Sequence, residues 1–202
     1  MTRRLAPLSA EDVGQLPPPC ATCLTWEVGP AAARRPPADP AAVKADWFSR
    51  VAADWGPPGL RLLVDGGFAG YALYAPPGAV PGAAAFPTSP PAPGSVLLLT
   101  VRVRPDLVGQ GLGKVLVHGI ARDLSRRKVP ALEAFGAASG APACVLPVGF
   151  LEAVGFVVVR PHPRWPRLRL DLQAAVGWRA EVEAAWGRLL GAVRPDPAPS
   201  PV

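Results

Sequence analysis

A strand, a glycine loop and a helix follow one another without interruption between Val96 and Lys128, and the loop at their junction constrains the fold of this chain more than any other feature. Val96-Leu97-Leu98-Leu99 is aliphatic throughout, and Thr100-Val101-Arg102-Val103-Arg104 then alternates. Pro105 closes the strand because it has no amide hydrogen to give to a ladder. Beyond the loop, Leu112, Val115, Leu116, Gly119, Ile120 and Leu124 recur at helical spacing and predict one apolar face. Gly109, Gly111 and Gly113 permit backbone turns that side chains forbid, so the first amides of the helix can point together at an anion such as a phosphate or pyrophosphate.

Spacing excludes two nucleotide-binding patterns. A dinucleotide fingerprint needs Gly-x-Gly-x-x-Gly with an acidic residue about 20 positions on, and a triphosphatase loop needs a four-residue gap before Gly-Lys-Ser/Thr. Here the glycines are evenly spaced and Val115 follows Lys114.

Val103-Arg104-Pro105 with Gly109-Gln110-Gly111-Leu112-Gly113-Lys114 resembles the signature of the GNAT acyltransferases: a strand ending Val-x-Pro, then Arg/Gln-x-x-Gly-x-Gly/Ala opening a helix. Phe150-Leu151-Glu152-Ala153-Val154-Gly155-Phe156 resembles a second element of that family, a short helix ending in Gly-Phe, with Gly155 as its C-cap. Cys20-Ala21-Thr22-Cys23, followed by Trp26 and Glu27, is similar to a bacterial subset carrying Cys-x-x-Cys-x-x-Trp-Glu near the start.

The resemblance implies an α/β (α+β) domain: a mixed, mostly antiparallel sheet of about six to seven strands flanked by helices. The other elements follow the family order. Leu5 to Leu8 predicts a first strand, and Ser9-Ala10-Glu11-Asp12 opens a helix as a capping box. Asp39-Pro40 begins a second helix through Val43, Trp47, Phe48 and Val51, with Trp47 in the core. Leu60 to Val64 and Phe68 to Tyr74 form a hairpin around Asp65-Gly66-Gly67. Between Ala75 and Ser95 an insertion holds seven prolines, too many for a strand or helix; it reads as a stiff connection or a lip over an acceptor site. Ala131 to Phe135, Phe156 to Arg160 and Leu168 to Leu172 predict further strands, and 174–190 a last helix. One domain is expected over 1–192, with a proline-rich tail at 193–202.

Composition narrows the setting. Half of the 202 residues are hydrophobic, enough for one core, yet no apolar run approaches the roughly 18 residues of a membrane span. Met1-Thr2-Arg3-Arg4 is basic, but no apolar signal-peptide region follows. Three cysteines argue against a disulfide framework and for a reducing compartment, so a cytoplasmic protein is expected. The net charge of +6 is scattered; its densest cluster, Arg122, Arg126, Arg127 and Lys128, reads as a solvated helix end or an anion contact. No basic stripe for nucleic acid is visible.

The resemblance implies an N-acyltransferase that moves an acetyl or other acyl group from acetyl-CoA, its cosubstrate, to an amine in a ternary complex. Backbone groups of Val101 and Val103 would hold the pantetheine arm, and Val108, Gly109, Gln110, Gly111, Leu112, Gly113 and Lys114 would form the cofactor-binding loop. Two residues depart from the pattern. Val108 replaces the usual Arg or Gln, and Leu151 stands where many members have a tyrosine that protonates the departing thiolate. Glu133 is the first candidate for proton handling, being the sole charge in a strand expected to splay from its neighbour; Glu27 and Asp46 are weaker alternatives.

Cys20, Cys23, Cys144, His118 and His162 lack the paired spacing of a zinc site, so no metal is assigned. The thiols read as buried packing or as redox or acceptor-site groups, and His118, off the apolar face of its helix, as solvent-exposed. Trp26 and Trp165 are candidates to line an acceptor pocket. The resemblance implies an amine acceptor, whether a small molecule such as a simple amine or antibiotic-like compound, a protein lysine or an aminoacylated RNA, and a homodimer is compatible with the family. A non-catalytic acyl-CoA-binding sensor is the alternative, supported by Leu151.

Overall fold

In the computed structural model, which describes residues 2–140 and 144–172, Asp65 and Gly66 both take positive φ, 47° and 82°. That is the handedness a two-residue hairpin turn requires, and it joins β2 (Gly59–Val64) to β3 (Gly67–Ala75) as the sequence predicts. β1 (Arg3–Pro7) lies antiparallel to β2; it begins before the expected Leu5, and Leu8 still bonds to Gly59 O at 2.9 Å. β4 (Val96–Val103) pairs with β3, then runs parallel to β5 (Ala131–Ala137). The sheet continues through β8 (Arg167–Asp171) to β7 (Val157–Arg160), while the two-residue β6 (Leu146–Pro147) pairs with β5 off this path. Seven strands thus form the expected mixed, mostly antiparallel path, and β6 makes eight.

A bulge in β4 decides which residues reach the site. Thr100 partners Leu73 and Leu98 partners Tyr74, so Leu99 is an extra residue. Leu97 and Leu99 therefore both belong to the core on one face of the sheet, and beyond the bulge Val101 and Val103 turn to the other face with Leu98.

Two apolar cores cover the two faces. On one, α2 (Leu112–Arg126) buries Leu112, Val115, Leu116, Ile120 and Leu124 against the sheet, and α3 (Val148–Ala153) adds Leu151. On the other, α1 (Pro40–Asp54) packs Trp47, Phe48 and Val51 beside Trp26, Phe86 and Phe135. Asp39 caps α1 by accepting from the Ala42 amide at 3.0 Å, with Pro40 in the first turn.

Several expectations need correction. The helix after Ser9 is one short 3-10 segment, Ala10–Gln15. The Ser9 amide and hydroxyl do donate to Asp12, at 2.8 and 3.0 Å, but Pro17, Pro18 and Pro19 bar any extension. His118 is buried, not solvent-exposed, and the Leu5 and Leu60 side chains come against its neighbour Gly119. The proline-rich insertion holds two 3-10 turns, Pro77–Ala79 and Pro81–Ala85. It lies tight on the chain around Trp26; a Cβ on Gly82 would run into the Thr25 carbonyl, and Phe86 stacks on Trp26 (5.2 Å) and Phe135 (4.5 Å). The cluster at the end of α2 is a solvated helix end: Arg126 and Arg127 pair with Asp123, and Arg127 also lies 3.7 Å over the Trp55 ring. The last predicted helix (174–190) and the tail lie outside the described residues.

Candidate functional site

Strands β4 and β5 are register partners only at Val96/Leu132 and Leu97/Glu133; from there β4 follows β3 and β5 turns to β6. The opening between them leads into a groove of about 490 Å³ formed by the end of β4, the glycine loop, the start of α2, β6 and α3. Arg104 N donates to Ala69 O on β3 (2.8 Å), so by strand alternation the amides of Val103 and Val101 point away from β3, into the groove side.

The glycine loop has the geometry its composition predicts. Gly109 and Gly111 take φ of 86° and 74°, and where a Cβ would project from either there is no protein atom within 4 Å. Side chains there would occupy the groove mouth and strain the backbone. Gly111 is the N-cap of α2, so the orphan amides of the first turn and the positive end of the helix dipole face the same space. Gly113 admits Phe150 of α3, whose ring would stand 3.0 Å from a Cβ at that position, and Phe150 walls the groove. Among the described lining residues no carboxylate occurs; Lys114 is cationic, and strand alternation turns the Arg102 side chain to the opposite face, beside Tyr71. The groove is therefore shaped and charged for an elongated anion with an apolar arm.

Of the residues predicted to bind cofactor, Val101, Val103, Val108, Gly109, Gly111, Leu112, Gly113 and Lys114 line this groove. Gln110 is exposed and outside the lining, turned out between two left-handed glycines. Sequence reasoning missed Leu146, Pro147 and Phe150 as walls. The Gly-Phe element was visible, but only the folded chain brings Phe150 over Gly113.

Comparison with known proteins gives fold but no sequence kinship. No protein-family model matches the chain, and no curated protein matches it by sequence. Among solved structures, the aminoglycoside acetyltransferase AAC(6')-Ib in complex with coenzyme A superimposes with a TM-score of 0.58 at 18% identity, covering 88% of this chain and 99% of that one. The PaiA N-acetyltransferase from Thermoplasma acidophilum, also in complex with coenzyme A, gives 0.57 at 13% identity over 85% and 99%. YncA, a putative acetyltransferase from Salmonella typhimurium with acetyl-CoA, gives 0.53 at 16% over 85% and 95%. The chain has the GNAT acetyltransferase fold.

Within the GNAT fold, the proton-handling candidates do not gather at the groove. Glu133 is fully buried at the closed end of the β4/β5 junction. Its carboxylate accepts from Arg169 Nη1 (3.2 Å) and the Ala92 amide (3.2 Å) and pairs with Arg167 Nη1 (3.1 Å). Arg167 also donates to Pro90 O, and Thr88 Oγ1 donates to Trp165 O at 2.9 Å. Glu133, expected as a base at the splay, thus sits at the last register pair before the strands part, where its lone pairs hold two arginines and the proline-rich insertion.

Leu151 is fully buried beside Gly136, and no acid lines the groove among the described residues. Glu27 is buried and ion-paired to Lys44; burial pushes its carboxyl upward and Lys44 opposes this. It lines a separate cleft of about 520 Å³ with Trp47, Arg50, Asp54 and Trp55. Asp46 is exposed in a shallow hollow with Val43, Ser49 and Arg50.

The candidate metal ligands are dispersed. Cys20 is buried beside the Tyr71 hydroxyl, and His162 Nδ1 accepts the amides of Arg164 (3.1 Å) and Trp165 (3.0 Å). Burial holds the His118 imidazole down to about 4, with Lys114 adding to the effect. Cys23 and Cys144 do meet: their sulfurs are 3.3 Å apart, and Thr25 Oγ1 lies 3.2 Å from Cys23 and 3.0 Å from Cys144. Trp26 Nε1 donates to Cys144 O at 3.3 Å, and its ring stacks over Phe86 and Phe135 on the face opposite the groove. Trp26 is therefore core, with its edge against the thiol pair.

Proposed function

We propose that this protein is an acyl-CoA-dependent N-acyltransferase, with acetyl-CoA as cosubstrate and an amine as acceptor. The observation that carries the reading is the opening of β4 from β5 directly beside a glycine-lined helix N-terminus, in a groove with Lys114 and no carboxylate among its described lining residues. First-turn amides from Gly109 to Lys114 hold the pyrophosphate, with the Lys114 ammonium adding charge. The pantetheine arm lies along β4 with its amides on those of Val101 and Val103, against Phe150 and Leu146. The neighbours bound to coenzyme A or acetyl-CoA support a ligand of this class.

Acyl transfer asks three things of the chain: a donor to the developing oxyanion, an approach for a neutral amine, and somewhere for a proton to go. The groove-facing amides of β4 supply the first. The β4/β5 opening supplies the second, because the two strands are no longer paired beyond Leu97 and Glu133. A coenzyme A thiolate is a stable leaving group, as thiolates are in general, an ordinary cysteine thiol having a pKa of about 8.5. Protonation by water therefore suffices, and this fits a groove without an acid. The Cys-x-x-Cys-x-x-Trp-Glu run resembles that of a bacterial subset of the GNAT superfamily, and the free thiols suit the cytoplasm. Among the described residues no helix is long and apolar enough to cross a membrane.

One observation favours a second reading. Leu151 is buried where GNAT enzymes often place a tyrosine, which is compatible with a sensor that binds acyl-CoA without turnover. Calorimetric titration with acetyl-CoA, followed by thiol release across a panel of amines, separates the two. Binding with amine-dependent release supports the enzyme, binding without release under any amine supports the sensor, and no binding overturns both.

A further inference from the structure

Cys23 and Cys144 are 121 positions apart in sequence, yet the fold sets their sulfurs 3.3 Å apart. Cys23 is partly exposed, whereas Cys144 is 8% exposed. The third thiol, Cys20, is buried against the Tyr71 hydroxyl, although it is much nearer to Cys23 in the chain. Thr25 Oγ1 bridges the pair, and a buried Lys44 with its partner Glu27 stands close by. Nothing in the acyl-transfer chemistry uses these two thiols.

We propose that Cys23 and Cys144 are a reversible dithiol/disulfide pair, oxidised by a hydroperoxide, with Cys23 the attacking and Cys144 the resolving thiol. Each part of this assignment has a structural basis. An attacking thiol has to meet an oxidant from solvent as its thiolate, and a resolving thiol has to wait beside it, shielded. Cys23 is the accessible member. The groups facing it are Cys144, Thr25, Lys44, Glu27 and Tyr71. The hydrogen bond with Cys144 holds the Cys23 thiol down to about 5, against the cost of burial, and Thr25 and Lys44 assist. The same hydrogen bond and burial push Cys144 upward, so it keeps its proton.

The chemistry closes without further reagents. The Cys23 sulfur attacks the peroxide, the O–O bond breaks, and the departing oxygen takes up a proton as water or alcohol, leaving Cys23 as the sulfenic acid. The Cys144 sulfur then attacks the Cys23 sulfur, the S–O bond breaks, and hydroxide leaves as water with the Cys144 proton. Two electrons have passed from the two sulfurs to the peroxide. A small dithiol restores both thiols by exchange. The bond would tie the segment before Trp26 to the segment that continues into Leu146 and Pro147 of the groove wall.

The test treats the reduced full-length chain with a slight excess of hydrogen peroxide and reads the products by intact mass, thiol titration and peptide mapping. Expected are loss of two hydrogen atoms, a fall in reactive thiols under denaturing conditions from three per chain to one, and a Cys23–Cys144 peptide that dithiothreitol resolves. Cys144→Ser should instead accumulate a dimedone-reactive sulfenic acid at Cys23, Cys23→Ser should form no intramolecular link, and Cys20→Ser should behave as the parent chain. A Cys20–Cys23 link, or three thiols surviving peroxide, overturns the proposal. None of these readouts depends on coenzyme A, so failure of the acyltransferase reading would leave the result intact.

Discussion

Leu97 and Glu133 are the last register partners of β4 and β5, and Glu133 is also where two arginines and the proline-rich insertion are tied to the sheet. Its carboxylate is 1% exposed and meets Arg167, Arg169 and the Ala92 amide. Removing the charge leaves buried guanidinium without its counter-ion, which costs about 3 kcal/mol. Glu133→Gln should therefore lower the denaturation midpoint while leaving turnover per folded molecule close to that of the parent. Urea titration and a rate measured on the folded fraction check both halves; a stable variant with lost turnover would return Glu133 to the chemistry.

The glycine loop makes a separable prediction. Gly111→Glu and Gly113→Glu each bring a carboxylate to the α2 N-terminus, where it competes with the bound anion, and Gly113→Glu also presses on Phe150. Acetyl-CoA affinity should fall at least about tenfold, roughly 1.4 kcal/mol. Calorimetry measures this, with circular dichroism to establish that the fold persists. Unchanged affinity would remove the phosphate-cradle assignment.

The parts of this molecule written in local pattern were legible before folding. Asp65-Gly66 specified its hairpin, Asp39-Pro40 its helix start, and the spaced glycines the groove mouth, because each depends on the conformational limits of residues adjacent in sequence. What escaped depends on distant contacts. Glu133 looked like an isolated charge, since its partners Arg167 and Arg169 arrive from β8, and His118, off the apolar face of its own helix, looked solvent-facing although the folded chain buries it. The thiol pair was hidden for a further reason: Cys-x-x-Cys suggests Cys20 and Cys23 as partners, while the turns after Cys20 send the two side chains to different neighbours.

His118 gives the chain a pH dependence of its own. Its folded-state pKa is about 4 against an ordinary 6.5, so between these values the unfolded chain binds a proton that the folded chain refuses. This contribution is constant above pH 6.5 and is lost as pH falls toward 4. Thermal midpoints measured across that window should drop less steeply for His118→Asn than for the parent chain. Parallel profiles would mean that the buried imidazole does not govern the slope.

Cys23 should titrate far below an ordinary thiol. Its pKa is lowered from 9.0 to about 5, chiefly by the hydrogen bond with Cys144, and only the thiolate reacts with an alkylating reagent. The rate of iodoacetamide modification at Cys23, followed by peptide mass, should already be on its plateau at pH 7 and fall to half near pH 5. Cys144→Ala removes the hydrogen-bond partner, so the half-point should move upward by more than one pH unit, whereas Lys44→Met, which deletes a weaker electrostatic influence, should move it less. Equal shifts from both variants would mean that the lysine field rather than the neighbouring thiol holds the charge.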